Sequence, residues 1–213
     1  MTMFKDRTDA GIQLAEKLIH FKDYDTVVIA IPRGGLPLAA IVAKTLEAPL
    51  DVALTKKIGH PHNKEYAIGA ISLDSRILSS PIEASEAYIE KETNRIRHVL
   101  SKRRDQYYKN SEPQDVKGKT VIIIDDGIAT GNTILATIEL VYKKDPSRIV
   151  VAIPVAPPSA LEKLNISPYV DEVVYLEAPY NFQAVGQFYD QFHTVTDEMA
   201  IRILEECNQN LAD

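Results

Sequence analysis

Apolar residues along this chain fall into short unbroken runs separated by longer stretches of mixed character. TVVIAIP (26–32), LDVALTK (50–56), TVIIIDD (120–126), RIVVAIP (148–154) and DEVVYLE (171–177) are each of strand length and show little alternation. A strand that is apolar at successive positions must be covered on both faces, which is the condition inside a parallel sheet. Helix-like segments fill the intervals at Gly35 to Leu46, Asn132 to Tyr142 and Pro158 to Leu164, and another over Thr8 to His20 precedes the first run. The pattern predicts right-handed βαβ units and an α/β fold: a Rossmann-like parallel sheet of about five strands flanked by helices.

One interval breaks this rhythm. Residues 57–118 separate the second and third runs by far more than a crossover needs, so they read as an insertion. EYAIGAISLDSRILS alternates and turns near Asp74 and Ser75, which predicts a hairpin, and Glu83 to Tyr108 predicts one long helix, with Ser111 to Lys117 as a polar connector. The helix and its end carry Lys91, Arg95, Arg97, Lys102, Arg103, Arg104 and Lys109 against Glu90, Glu92 and Asp105. A solvated basic face is the default reading, and contact with polyphosphate or RNA is the alternative.

Composition narrows the class. The 213 residues are 45% hydrophobic and 25% charged, without a biased tract or an internal repeat, as expected of one globular domain over 1–213. Lys and Arg total 24 against 30 Asp and Glu, a formal charge of -6, which disfavours nonspecific binding to nucleic acid or anionic membrane. Any anion site must therefore be local. The first residues lack the apolar core of a signal peptide and no apolar run approaches ~20 residues, so the expected location is cytoplasmic. Cys207 stands alone and reads as a small packed thiol.

The chemistry concentrates in VIIIDDGIATGNT, residues 121–133. The strand ends at two adjacent carboxylates, Gly127 permits torsions closed to other residues, and Thr130, Gly131, Asn132 and Thr133 open the next helix. Unpaired amides and the helix dipole make that terminus a phosphate cradle, to which Thr130 and Thr133 add hydroxyl donors. The carboxylates lie one sugar length upstream, where they can accept hydrogen bonds from vicinal hydroxyls and hold a hard divalent cation, directly or through water. The ligand that fits is a ribose 5-phosphate. No lysine follows the glycine, so this is not a Walker loop.

The segment resembles the phosphoribosyl diphosphate (PRPP) signature of type I phosphoribosyltransferases over all of Val121 to Thr133. The opening MFKDRTDAGIQLAEKL, PRGG, KKIGHPHNKEYAIGAI and EAPYNFQAVGQFYDQF extend the likeness over nearly the full chain, to a group of predicted bacterial phosphoribosyltransferases. The resemblance implies transfer of a 5-phosphoribosyl group between PRPP and a ring nitrogen of a base, with magnesium as cofactor and diphosphate released. Asp125 and Asp126 would orient the ribose hydroxyls and hold magnesium, and Gly127, Ile128, Ala129, Thr130, Gly131, Asn132 and Thr133 would anchor the 5-phosphate.

Arg33, Gly34 and Gly35 in IPRGGLPLAA resemble the family's diphosphate loop, which often contains a cis peptide; a tight strand-to-helix turn is the plainer reading. Lys56 and Lys57 stand at the end of the second strand and would assist the departing diphosphate. The loop after them suits a closing lid, with Glu65 as candidate general base. Its KK and EY resemble the flexible loop of adenine phosphoribosyltransferases, whereas His60 and His62 as a metal pair would need a third ligand that spacing does not supply.

Family members also carry a hood over the sheet edge. Residues 177–192 are the candidate here, with Tyr180 and Phe182 against the base; these aromatics and Phe188 and Tyr189 read equally well as packing for a terminal helix, Asp197 to Cys207. Asp6 and Arg7 read as a helix cap with a salt bridge, or else as a hood element reaching the site. Ala129 stands where 6-oxopurine enzymes have an acid, which argues against hypoxanthine, guanine and xanthine. Dimers are usual in the resembled family. A PRPP-sensing regulator of RNA or DNA is the competing function, and a PRPP-making diphosphokinase finds no ATP-binding signature.

Overall fold

In the computed structural model, which describes residues 2–64, 66–79, 84–109 and 112–209, the apolar runs become one sheet. Strands β1 (Thr26–Ala30), β2 (Leu50–Val52), β6 (Thr120–Ile124), β7 (Arg148–Val155) and β8 (Glu172–Glu177) lie in the order β2-β1-β6-β7-β8. Every neighbouring pair is parallel. Both faces are covered, as unbroken apolar strands require. Val28, Ala30, Ile122, Ile124, Val150 and Ala152 point to one core, built with α1 (Arg7–Leu18), α2 (Leu36–Leu46) and α6 (Asp197–Gln209). Val27, Ile29, Val121, Ile123, Val151 and Ile153 point to the other, built with α4 (Asn132–Tyr142) and α5 (Pro158–Asn165).

The interval between β2 and β6 forms a second, antiparallel sheet: β3 (Lys56–Gly59), β4 (Ala67–Ile71) and β5 (Arg76–Leu78) in that order, followed by α3 (Glu86–Tyr107). It has its own small core of Ile58, Ile68 and Ile71 against Ile89, Ile96 and Leu100. The turn between β4 and β5 is closed by the Ser72 amide on the Ser75 carbonyl and the Ser75 amide on the Ser72 hydroxyl, at 2.9 and 3.0 Å. Helix α3 begins after Ser85, whose hydroxyl caps the Tyr88 amide; Glu83, where a start was expected, lies outside the described residues.

One expectation needs correction. LDVALTK is not one strand. Ala53 still donates to the Ala30 carbonyl, but Thr55 then donates to Ala53 in a turn, and Lys56 and Lys57 begin β3, paired with Ile71 and Ala70. A continuing apolar run carries no mark of the point where the chain leaves one sheet for another. Of the two readings left open for Phe188 and Tyr189, both residues take the packing one, buried in the core and against the amino-terminal segment through Phe4. Charged groups of α3 form local pairs, Arg95 with Glu92 within the helix and Arg104 with Glu112 beyond its end. Cys207 is half-buried, and burial pushes its thiol up. Among the described residues no helix is long and apolar enough to cross a membrane.

Candidate active site

In this strand order the chain's direction of travel across the sheet reverses between β1 and β6, and in open α/β sheets the crevice outside such strand ends is where ligands bind. The two unusual loops meet there. The Ile31 amide donates to the Ile124 carbonyl at 2.8 Å, and the Pro32–Arg33 peptide is cis. Gly34 lies so close to Asp126 that a Cβ on it would stand 2.1 Å from Oδ2. Helix α2 starts immediately after Gly35. A cavity of about 470 Å³ opens at this point. Arg7, Ile31 to Gly34, Asp125, Asp126, Thr133 and Phe192 to Val195 line it.

The acid pair is held from several sides. Asp125 Oδ1 accepts the Asp126 amide at 2.9 Å, and the Asp126 carbonyl accepts the Tyr189 hydroxyl at 2.6 Å. Burial and the neighbouring Asp126 hold the Asp125 carboxyl well above the usual carboxylate range. Burial also raises that of Asp126, opposed by the guanidinium of Arg7, whose Nη2 is 2.8 Å from Asp126 Oδ2.

Downstream, Gly127 has φ +146° and Gly131 φ +78°, backbone positions that favour glycine. The Ile128 amide is spent on the Val155 carbonyl, while Ala129, Thr130, Asn132 and Thr133 are exposed at the amino terminus of α4. The first amides of that helix have no intrahelical acceptor, so they are available to an anion.

Of the other candidate residues, Arg33 stands at the mouth, 3.5 Å from Asp197 in the first turn of α6. Lys56 and Lys57 lie on β3 and do not line this cavity. Neither does Tyr180, which is 94% exposed, nor Phe182, which packs on Phe188 with ring centroids 4.9 Å apart. The aromatic ring at the crevice belongs to Phe192. Glu65 lies outside the described residues. His60 and His62 have ring centroids 5.6 Å apart, and among the described residues no cluster of three or more His, Cys, Asp or Glu could hold a metal.

The participants that sequence reading did not fix are Arg7 and the segment Phe192 to Val195. Asp6 does cap α1, its Oδ1 accepting the Asp9 amide at 2.9 Å, but Arg7 turns away from it into the crevice. The signal was the resemblance of the opening segment itself, which sets a charged pair at the start of the first helix. A second cavity, of about 450 Å³, lies by β2 under the insertion and contains neither loop. Its buried Asp51 is already engaged by the Tyr108 hydroxyl and by the Val52 and Gln114 amides.

Residues 4–191 match the phosphoribosyl transferase domain. A Mycobacterium tuberculosis protein named "Putative phosphoribosyl transferase", from strains CDC 1551 and H37Rv, is 34% identical over 218 residues, covering 100% of this chain and 49% of the relative. The chain thus spans about half the length of the curated relatives it matches. Among solved structures, TT1426 from Thermus thermophilus is similar at TM-score 0.88 and 41% identity, over 97% of this chain and 99% of that one. A hypothetical protein from Neisseria gonorrhoeae with bound ppGpp, at TM-score 0.51 and 15% identity over 97% and 99% of the two chains, shares the fold alone. Parallel sheet, paired loops at its switch point and a domain match over most of its length agree: the chain belongs to the type I phosphoribosyltransferase family.

Proposed function

We propose that this chain transfers the 5-phosphoribosyl group between PRPP and a ring nitrogen of a nitrogenous base, releasing diphosphate. The observation that carries the reading is the meeting of the PRGG loop and the acid pair at one crevice, with Gly34 against the Asp126 carboxylate. A sugar carrying anions at both ends needs that arrangement: amides at the start of α4 for the 5-phosphate, carboxylates for the hydroxyls between, and Arg33 with the α2 amino terminus for the diphosphate.

The chemistry breaks the bond from C1 to the diphosphate oxygen and forms one from C1 to the base nitrogen, through a transition state of oxocarbenium character. The chain's part is to position the sugar and place negative charge near the developing cation. Asp125 and Asp126 take both roles. Glu65 is the candidate to receive the base's proton, and the β3–β4 hairpin, with Lys57, the candidate lid. Ala129 in place of an acid disfavours 6-oxopurines.

The donor set fits a shared magnesium. The acid pair supplies hard carboxylate oxygen, no third acid joins it among the described residues, and Mg²⁺ is commonly held by one or two carboxylates with substrate phosphates and water. Bound there, it would neutralise charge on the leaving diphosphate.

Calorimetric titration of PRPP with and without magnesium, followed by a diphosphate-release screen over purine and pyrimidine bases, tests the proposal. Binding followed by release with one base supports it and names the acceptor. Tight binding with no release from any base would replace it with a PRPP sensor. Two further outcomes are expected. Arg33→Ala weakens PRPP and diphosphate about tenfold while ribose 5-phosphate binding changes less, and equal losses for all three would misplace Arg33. PRPP with magnesium protects the β3–β4 hairpin from hydrogen exchange, and unchanged exchange would remove the lid.

A further inference from the structure

Arg7 is the charged group at the crevice that neither loop supplies. It opens α1, yet its guanidinium lies across the site. Nε and Nη2 both reach Asp126 Oδ2, at 2.9 and 2.8 Å, Nη1 donates to the His193 carbonyl at 2.7 Å, and the guanidinium carbon sits 3.9 Å from the centre of the Phe192 ring. Arg7 and Asp126 side chains are only 12% and 13% exposed.

The pose is fixed from three directions, because the segments that supply it are tied together. Phe4 and Tyr189 form a parallel bridge, the Asp190 amide donates to the Phe4 carbonyl and the Gln191 amide to that of Lys5, and the tilted rings of Tyr189 and Phe192 pack with centroids 5.0 Å apart. A planar guanidinium clamped by a ring, a carbonyl and a carboxylate has little to gain by leaving any one of them.

The Asp126 oxygen that accepts the Nε hydrogen also lies 2.8 Å from Nη2, so it is committed to the guanidinium, and a divalent cation beside the acid pair would meet a fixed positive charge. Asp126 Oδ2 also abuts Gly34, so the carboxylate has no room to withdraw from Arg7 on that side. We infer that Arg7 is the resident counter-cation of Asp126, a positioning residue that withholds this carboxylate from free divalent metal and leaves Asp125 as the metal-facing acid. The inference rests on the PRPP reading above, in which magnesium is shared at this acid pair.

The test uses Mn²⁺ alone as probe, read from the free-ion paramagnetic resonance signal, on the full chain at constant pH and ionic strength. Arg7→Gln is expected to tighten Mn²⁺ by about tenfold, since it frees an oxygen and removes a positive charge. Adding Asp126→Asn to that variant should take the gain away, and Arg7→Lys, which keeps the charge, should recover most of the wild-type weakness. A role confined to packing would lower thermal stability without tightening the metal.

Should Arg7→Gln not fold, single asparagine variants decide: Asp125→Asn is expected to weaken Mn²⁺ several-fold more than Asp126→Asn. Unchanged or weaker Mn²⁺ binding in Arg7→Gln, or equal losses in the two asparagine variants, would overturn the inference. PRPP titrated into the same proteins keeps the two readings apart: wild type that ignores PRPP would sink the proposed function, whereas the Mn²⁺ series alone judges Arg7.

Discussion

Replacing Asp125 and Asp126 together with asparagine is expected to lower phosphoribosyl transfer about 10³-fold or more while the protein remains folded. Asparagine keeps the shape and can still accept a hydrogen bond from a ribose hydroxyl. It cannot place negative charge beside a developing oxocarbenium ion or ligate a hard cation as well, so the loss should fall on turnover more than on PRPP affinity.

Stability should move the opposite way at the single position Asp125. Burial and the adjacent Asp126 raise the folded-state value of that carboxyl. A carboxyl with a raised folded value takes up a proton on folding, so its cost is absent below its unfolded value, about 3.9, and grows as pH rises towards the folded one. Asp125→Asn should therefore raise the melting temperature at pH 7 by a few degrees, about the 2–4 °C that ~1 kcal/mol yields in a chain of this size, with the gain shrinking towards pH 4. Diphosphate-release rates and melting curves at the two pH values check both halves. Transfer retained within tenfold would remove the ribose assignment, and a lower melting temperature at pH 7 would mean that the Asp125 charge stabilises the fold.

Gly35→Ala is expected to cost about 3 kcal/mol of folding stability, through a clash rather than a torsion. Gly35 has an ordinary helical φ of -71°. A Cβ there would stand 2.6 Å from the Ile124 carbonyl oxygen and 2.8 Å from that of Ile31. Neither oxygen can yield cheaply, because the first accepts the Ile31 amide that joins β1 to β6 and the second accepts the Gly35 amide that opens α2. The urea midpoint reads the loss, and an unchanged midpoint would contradict so close an approach. Gly34→Ala should behave differently. Its Cβ would press on the Asp126 side chain, which can rotate only by leaving Arg7, so PRPP binding should suffer more than stability.

The contrast between these glycines marks how far residue order alone carries. Their presence beside Arg33 was visible, and so was the turn from the acid pair into a helix over residues 127–133, because strand end, acid pair and helix start are contiguous there. The five parallel strands were legible for a related reason: burial on both faces demands apolar residues at every position, a local and redundant signal. The hairpin and long helix of the insertion follow from period and turn chemistry in the same way. The point where the chain leaves β2 for β3 was not legible, since Leu54 extends the apolar run past the last sheet bond, made by Ala53, and only pairing with β4 decides where Lys56 belongs.

Arg7 shows the wider reason. It stands 119 positions from Asp126 and 186 from His193, and nothing around residue 7 favours that carboxylate over Asp6 beside it. The same holds for Phe192, which is no more aromatic than Tyr180 but is carried to the crevice by the pairing of residues 3–5 with 188–191. Periodicity and contiguous motifs declare which backbone is buried and where unpaired amides gather, because those properties belong to neighbours in the chain. Which distant side chain neutralises a buried acid depends on how closed layers bring remote segments together, and that contact is written in three dimensions.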